Sequence, residues 1–393
     1  MRLSERITGL TGGGSDGWDV YYRGRAMAAA GEPVIELTIG EHDIPTDPLI
    51  LTAMDRAARD GHTGYAPVPG LPELRAAIAA RVEARTGVPT GAENVIVTAG
   101  GQAALLAAHA AVCDPGDAAL YCDPFYATYP GTIRAAGAVP VAVPTRPEDG
   151  FQPRAAAVLA AAKGARSLLI NTPGNPTGEV WSRERLEEVA GACRQAGLWL
   201  ISDEVYDGMV WAGAHVSPRA LPGMADKVLV IGSMSKSYAM TGSRLGWIVG
   251  PEAVIEHLVN LSTHTTYGVP GYIQMAALAA LQAGPELERR VAAPYAARRA
   301  AALRVLGTSD VLGVAPCEGG MFVLLDVRAT GLDGEAFAER LLDEEGIAVM
   351  PGESFGQATA GHVRVALTRP EDQLVAGLAR LVRFAEGCAR DAA

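Results

Sequence analysis

Residues 232–247 read GSMSKSYAMTGSRLGW. Lys236 stands there among small polar residues, with Arg244 further along the same stretch. An apolar run at 228–231 enters it and another at 245–249 leaves it. That pattern predicts strand, loop, strand, with the lysine just past the end of a buried strand. A lone lysine in a loop is ordinarily a solvated charge. Here the stretch holds no acid and no second lysine, and apolar runs bracket it. An amine held in such a place can lose its proton and attack a carbonyl to form a Schiff base. Arg244, fixed in charge and forked in its donors, suits a phosphate.

Outward from this stretch the chain alternates helix and strand. Helical periodicity covers 49–59 and 71–85, and between them 61–70 (GHTGYAPVPG) reads as a loop from its glycines and prolines. Short apolar runs lie at 95–97, 118–121, 139–143, 168–170, 198–201, 228–231 and 245–249, and helical stretches separate most of them. This predicts an α/β fold with a mostly parallel seven-stranded sheet and helices on both faces. The rhythm changes near Gly284. A long arginine-rich helix, Pro285–Leu306, is followed by strand runs at 321–327, 347–350 and 363–367 and by helices from Glu335 and Glu371, a smaller α+β unit. The first residues read as an arm. Its stretch 11–17 (TGGGSDG) lacks the Gly-Lys-Ser/Thr of a P-loop and is expected to be a flexible loop. Trp18, Tyr21 and Tyr22 offer apolar surface for docking, and a short strand is expected at 34–39. The division expected is an arm, 1–45, joining the small domain; a large cofactor-binding domain, 46–284; and a small C-terminal domain, 285–393.

A chain of 393 residues is too long for one ordinary core, so two domains are the default. A net charge of -11 with no basic run excludes a nucleic-acid surface. The five cysteines are scattered and odd in number, with no metal-ligand spacing, which points to reduced thiols in a cytoplasm and no metal. The N-terminal MRLSERITGL has no apolar core of the signal-peptide kind, and the alanine-rich runs are too short to span a bilayer.

Several chemistry-bearing residues fall at the ends of the predicted strands, where ligands bind in sheets of this kind. Gly100, Gly101 and Gln102 open a helix over 103–112, and backbone N–H groups at such a start attract an anion. The stretch 171–178, NTPGNPTG, is a rigid loop in which Asn175, taken alone, is a turn residue. Asp203, at the end of LWLISD, would alone be a cap, and Tyr126 in DPFYATYP would alone be core. Arg364 sits in HVRVALT, a strand of small apolar residues, and burying it without a partner is costly.

A lysine nucleophile beside a phosphate anchor is the pair that pyridoxal phosphate requires. The stretch 232–247 resembles the cofactor-lysine signature of the class I and II aminotransferases, the aspartate aminotransferase superfamily. Resemblance runs from about residue 40 to about 367, with the motifs in the same order and similar spacing. It implies the type I fold of pyridoxal-phosphate enzymes and a Schiff base to Lys236. Amino transfer from an amino acid to a 2-keto acid such as pyruvate would then pass through pyridoxamine phosphate. Gly100, Gly101, Gln102, Ser233, Ser235 and Arg244 would hold the phosphate. Tyr126 would stack on the ring, Asp203 would pair with its nitrogen, and Tyr206 and Asn175 would bond its oxygen. The substrate carboxylate would be taken by Arg364 and Asn175 near Gly40. Tyr65 would reach the phosphate of a partner subunit, which implies a homodimer with shared active sites. Glu204 receives no role.

The sequence departs from the family at 40–44, where Gly-Glu-His-Asp-Ile replaces Gly-Glu-Pro-Asp-Phe, and at Ser243, where many members carry tryptophan. Dicarboxylate-specific relatives need a cation for the distal carboxylate, yet no lysine or arginine occurs from 245 to 288. The matching stretch 262–270 reads STHTTYGVP, and His264 is a poor substitute near neutral pH. Gln102 stands where another branch places lysine. With segments such as WDVYY, GGMFVLLD and PGESFG, this resembles the arginine–pyruvate branch. It implies a neutral or basic amino donor, which Asp19 and Glu41 would meet. A lyase or cyclising synthase on the same fold would need the same cofactor residues. A non-catalytic ligand-binding regulator is a further reading.

Overall fold

The computed structural model describes residues 1–13 and 17–392. Of the glycine-rich stretch 11–17, expected to be a flexible loop, residues 14–16 lie outside the described residues.

The strands among the described residues are β1 (Ile35–Glu36), β2 (Val95–Thr98), β3 (Ala118–Asp123), β4 (Val139–Pro144), β5 (Ala165–Asn171), β6 (Trp199–Asp203), β7 (Val228–Ser233), β8 (Gly246–Val249), β9 (Gly313–Val314), β10 (Phe322–Asp326), β11 (Ile347–Ala348), β12 (Met350–Pro351) and β13 (His362–Ala366). Seven of them form one sheet in the order β2-β8-β7-β6-β5-β3-β4. The pairs from β7 through β4 are parallel, and β8 alone runs against both neighbours.

Residue alternation explains why these strands read as unbroken apolar runs. Val95, Val97, Leu168, Ile170, Leu200, Val228 and Val230 face one apolar cluster, with Leu74, Ile78, Val82, Leu186 and Val189 from covering helices. Ile96, Leu169, Ile201, Leu229, Ile231 and Ile248 face a second cluster, with Ala104, Leu105, Ile133, Ile255 and Leu258. Both faces are therefore covered, as a parallel sheet requires.

A smaller antiparallel sheet, β12-β13-β10-β9, packs with the helices Pro285–Leu306, Gly334–Glu345 and Glu371–Ala392 around a third cluster. Val20 and Leu37 of the N-terminal arm belong to that cluster. The strand expected at 34–39 is limited to β1, because the chain changes partners as it passes. Leu37 donates its N–H to Ala348 O and accepts from Ala366 N. The run at 347–350 is split for the same reason: β11 pairs with β1, and β12 with β13. The helix expected over 103–112 starts at Gly100, and the short helix Tyr129–Ala135 has no counterpart among the sequence expectations. Its available signal is Pro130 in the first turn, where the missing N–H costs nothing.

Candidate active site

Parallel strands deliver their C-terminal ends to one edge of the sheet, and β8, running the other way, starts at that edge. Lys236 after β7 and Arg244 before β8 thus return to the same place. A cavity of about 330 Å³ opens there. It is lined by Gly40, Gly101, Gln102, Tyr126, Asn175, Asp203, Tyr206, Ser233, Ser235, Lys236, Arg244 and Arg364, so nearly every candidate residue meets in one space.

Lys236 lies in a four-residue helix, Met234–Ser237, capped by Ser233, whose hydroxyl accepts from Ser235 N at 3.1 Å. Its amine donates to Gly40 O. Burial lowers the Lys236 ammonium to about 8; Arg364 and Arg244 push the same way, against Glu41 and Asp203. Near neutral pH a useful fraction of such an amine is uncharged. Close packing fixes the segment. A Cβ on Gly232 would stand 2.2 Å from the Trp247 ring, and one on Gly246 would stand 2.7 Å from the carbonyl carbon of Gly100.

Arg244 has φ 50, a left-handed conformation rare outside glycine and concentrated at functional sites. Its Nη1 donates to Thr241 O at 2.7 Å. The guanidinium lies against Gly100, where a Cβ would approach Nη2 to 2.3 Å. Gly100 itself has φ 81. Its neighbours Gly101 and Gln102 open the helix Gly100–Val112 toward the cavity. Backbone donors, a helix start, two serine hydroxyls and an arginine form a cradle suited to a phosphate.

Asp203 ends β6 and is buried. Burial raises its carboxyl to about 6, against hydrogen bonds from Tyr129 Oη at 2.7 Å and Val205 N at 3.3 Å. A carboxylate in this condition gains from a cation brought against it. Tyr206 is raised by burial above the usual phenol range, with Asn175 bonding its oxygen. Arg364, on β13, is 1% exposed and sits between the Phe322 and Phe355 rings, 4.2 and 4.4 Å from their centroids. It donates to Asn175 Oδ1 at 2.8 Å and to Thr38 O, both neutral, and its Nε has no partner among the described residues. Burial lowers it to about 10. A buried arginine held by neutral groups, with a donor to spare, is suited to receive an anion.

Tyr65 stands apart, 92% exposed and edge-on to Tyr267 with ring centroids 5.1 Å apart. His264 is exposed at a helix end and does not line the cavity. Glu204 is turned away and satisfied by Ser217 Oγ at 2.7 Å and His215 Nε2 at 3.0 Å. Residues that sequence reasoning misses also line the cavity, among them Trp18, Tyr129, Asn171 and Phe322. Asn171 braces the loop, donating to Asp203 O at 2.9 Å and accepting from Asn175 N at 2.8 Å. Its place at the very end of a buried run is the available signal.

These features fit pyridoxal phosphate: a cradle for the phosphate, a raised buried carboxyl for a protonated ring nitrogen, and a buried amine for the aldehyde. Comparison with known proteins agrees. The profile of the family described as aminotransferase class I and II matches residues 32–381. The arginine–pyruvate transaminase of Pseudomonas aeruginosa is 43% identical over 369 residues, 93% of this chain and 94% of its own length. The aspartate aminotransferase of Streptomyces avermitilis is 35% identical over 396 residues, 98% of this chain and 96% of its own. Among solved structures, Thermus thermophilus aspartate aminotransferase with maleate superposes with a TM-score of 0.91 at 34% identity, over 98% of this chain and 100% of that one. The chain belongs to the class I and II aminotransferases, enzymes that move an amino group between amino and keto acids with pyridoxal phosphate as cofactor.

Proposed function

We propose that this aminotransferase takes its amino group from a neutral or basic L-amino acid and delivers it to pyruvate. The observation that carries the reading is the cavity's supply of cations. Lys236, Arg244 and Arg364 are the only lysine and arginine among its described lining residues. In this proposal each is already engaged, by the cofactor, its phosphate and the substrate α-carboxylate respectively. A distal carboxylate would enter without a partner, which is expensive in a closed site. Gln102, which stands where another branch of the family places lysine, is engaged with Thr128 and Thr132.

A basic side chain has somewhere to go. A second cavity of about 770 Å³ adjoins the first at Trp18 and Gln102 and is lined by Asp19, Glu335, Glu339 and Glu353, with Arg134 the only lysine or arginine among its described lining residues. Glu335 is raised by burial and then by Glu353, Asp333, Glu339 and Asp19, the mark of concentrated negative charge. The name of the Pseudomonas relative points the same way.

Bound, the cofactor supplies an electron sink for the substrate Cα and carries the amino group between the two half-reactions. Lys236 Nζ takes the Cα proton and returns it, as suits an amine lowered to about 8. Arg364 and Asn175 fix the carboxylate so that the Cα–H bond is aligned for loss. Asp203, braced by Tyr129, would pair with the ring nitrogen and hold it protonated. Tyr206 would donate to the cofactor's ring oxygen, and Tyr126, which lines the same cavity, would stack on its ring. We also propose the three-part division at 45 and 284 and a homodimer in which Tyr65 serves the partner's phosphate. A cytoplasmic enzyme is proposed too, supported by five free, buried cysteines. No helix among the described residues is long and apolar enough to cross a membrane.

Steady-state kinetics with pyruvate and with 2-oxoglutarate test the substrate reading. Arginine, lysine, alanine or an aromatic amino acid should exceed aspartate and glutamate in kcat/KM. Aspartate aminotransferases among the relatives favour the second reading, a dicarboxylate donor; a higher kcat/KM for aspartate or glutamate would establish it and defeat ours.

A further inference from the structure

We propose that His42 is a positioning residue for Lys236, gripping the lysine's main chain in a tautomer set by Tyr295. The inference rests on Lys236 being the cofactor lysine, as proposed above.

The helix that carries Lys236 has only four residues. The last four carbonyls of any helix lack an internal partner, so in a helix of this length Lys236 O must be satisfied from outside. His42 supplies what is missing. Its Nε2 lies 2.8 Å from Lys236 O. Its Nδ1 lies 2.8 Å from Tyr295 Oη, and the two rings meet edge-on at 5.2 Å. A backbone carbonyl only accepts, so Nε2 carries the hydrogen. Nδ1 is then bare and accepts from the Tyr295 hydroxyl.

Tyr295 is fully buried in the helix Pro285–Leu306, which gives the relay a fixed base. The next residue after His42, Asp43, is anchored to that helix by two bonds from Arg298 at 2.8 and 2.7 Å, and Arg298 also donates to Leu367 O at 3.2 Å. One residue before His42, Glu41 accepts from Thr241 at 3.3 Å; before that, Gly40 O accepts the Lys236 amine. The segment 40–43 therefore holds the lysine at both ends, amine and main chain.

The charged groups facing His42 are Lys236, Asp43 and Arg298. Burial first, and Lys236 second, lower the imidazole to about 4. It stays neutral through the pH range in which the amine works, so the grip does not switch off. Proline, which the family often carries at this position, has no side-chain donor and could not do this.

The test uses the holoenzyme variants His42→Phe, His42→Gln and Tyr295→Phe. Kinetics are paired with the pH profile of Lys236 acylation by acetic anhydride in the cofactor-free proteins. His42→Phe should lower kcat about tenfold, the worth of one hydrogen bond, with the donor KM within about twofold. The acylation midpoint should rise by roughly half a pH unit or more toward an ordinary lysine. His42→Gln, which restores a donor, should recover most of kcat. Tyr295→Phe, which keeps the core volume, should fall between, and it carries the test if His42→Phe does not fold. The proposal is overturned if kcat and midpoint are unchanged in Tyr295→Phe and His42→Phe. It also falls if glutamine is no better than phenylalanine, or if KM rises while kcat holds. Lys236→Ala is the control for the underlying reading: wild-type turnover there would remove the premise, whatever the His42 variants do.

Discussion

Asp203 and Glu204 are adjacent in the chain and opposite in circumstance. Asp203, the last residue of β6, faces the cavity, where burial leaves it near 6, and Glu204, the first residue past the strand, turns toward His215 and Ser217. If Asp203 holds a protonated ring nitrogen, Asp203→Ala should lower kcat by about 10²–10³-fold, in line with other preorganised electrostatic groups, while cofactor still binds. Tyr129→Phe should show a smaller loss. It should also move the acid limb of the pH–rate profile upward, since the Tyr129 hydrogen bond is the largest influence offsetting the rise that burial gives the carboxyl. Unchanged kcat in Asp203→Ala would reduce that residue to a cap. Asp203 is legible in the sequence because it ends an apolar run. Tyr129 is not, because its hydroxyl reaches Asp203 only through the short helix after Thr128. Arg364 is legible for the opposite reason to Asp203, as a charge in the middle of an apolar strand.

Helix Gly100–Val112 carries the proposed phosphate cradle at its start and an unusual burden in its body. His109 is fully buried, and neither ring nitrogen has a partner among the described residues. Burial lowers it to about 4 from 6.5. The folded state thus binds this proton less readily than the unfolded chain, so stability rises with pH between about 4 and 6.5 and is lost as pH falls through that window. Urea unfolding at pH 5 should show about 2 kcal/mol less stability than at pH 7.5 from this group. His42 titrates in the same direction, so the check is whether His109→Leu shrinks the difference; an undiminished difference would clear His109. At this scale the sequence shows the runs and not their pairing. No pattern in the apolar residues 245–249 distinguishes a strand that runs backwards, and β1 and β11 are too short to announce a change of sheet. Both depend on contacts made far away in the chain.

For the molecule as a whole, Tyr65 poses the clearest question. It sits outside its own cavity, paired with Tyr267 on an exposed surface. If it completes a partner's site, Lys236→Ala and Tyr65→Ala subunits should each be impaired. Mixing them under exchange conditions should then regenerate one intact site per mixed dimer. Sedimentation of an active monomer, or no recovery on mixing, would refute the shared site. The sheet with its two covered faces is readable from the alternation of runs and helices, whereas any surface meeting a second subunit leaves no period in the sequence. The pairing of β1 with β11 has a further consequence, for synthesis. Residues 35 and 347 must meet before the first strand has a partner. On the ribosome, the seven-stranded sheet has all its strands once residue 249 has emerged, and can begin to close. Leu37 and Thr38 must wait for residues 348–366 to bind them, Arg364 included. A nascent chain would therefore present the proposed cofactor platform nearly finished but without Arg364, its proposed grip on the substrate, while its own N-terminal arm remained undocked and open to chaperones or proteases.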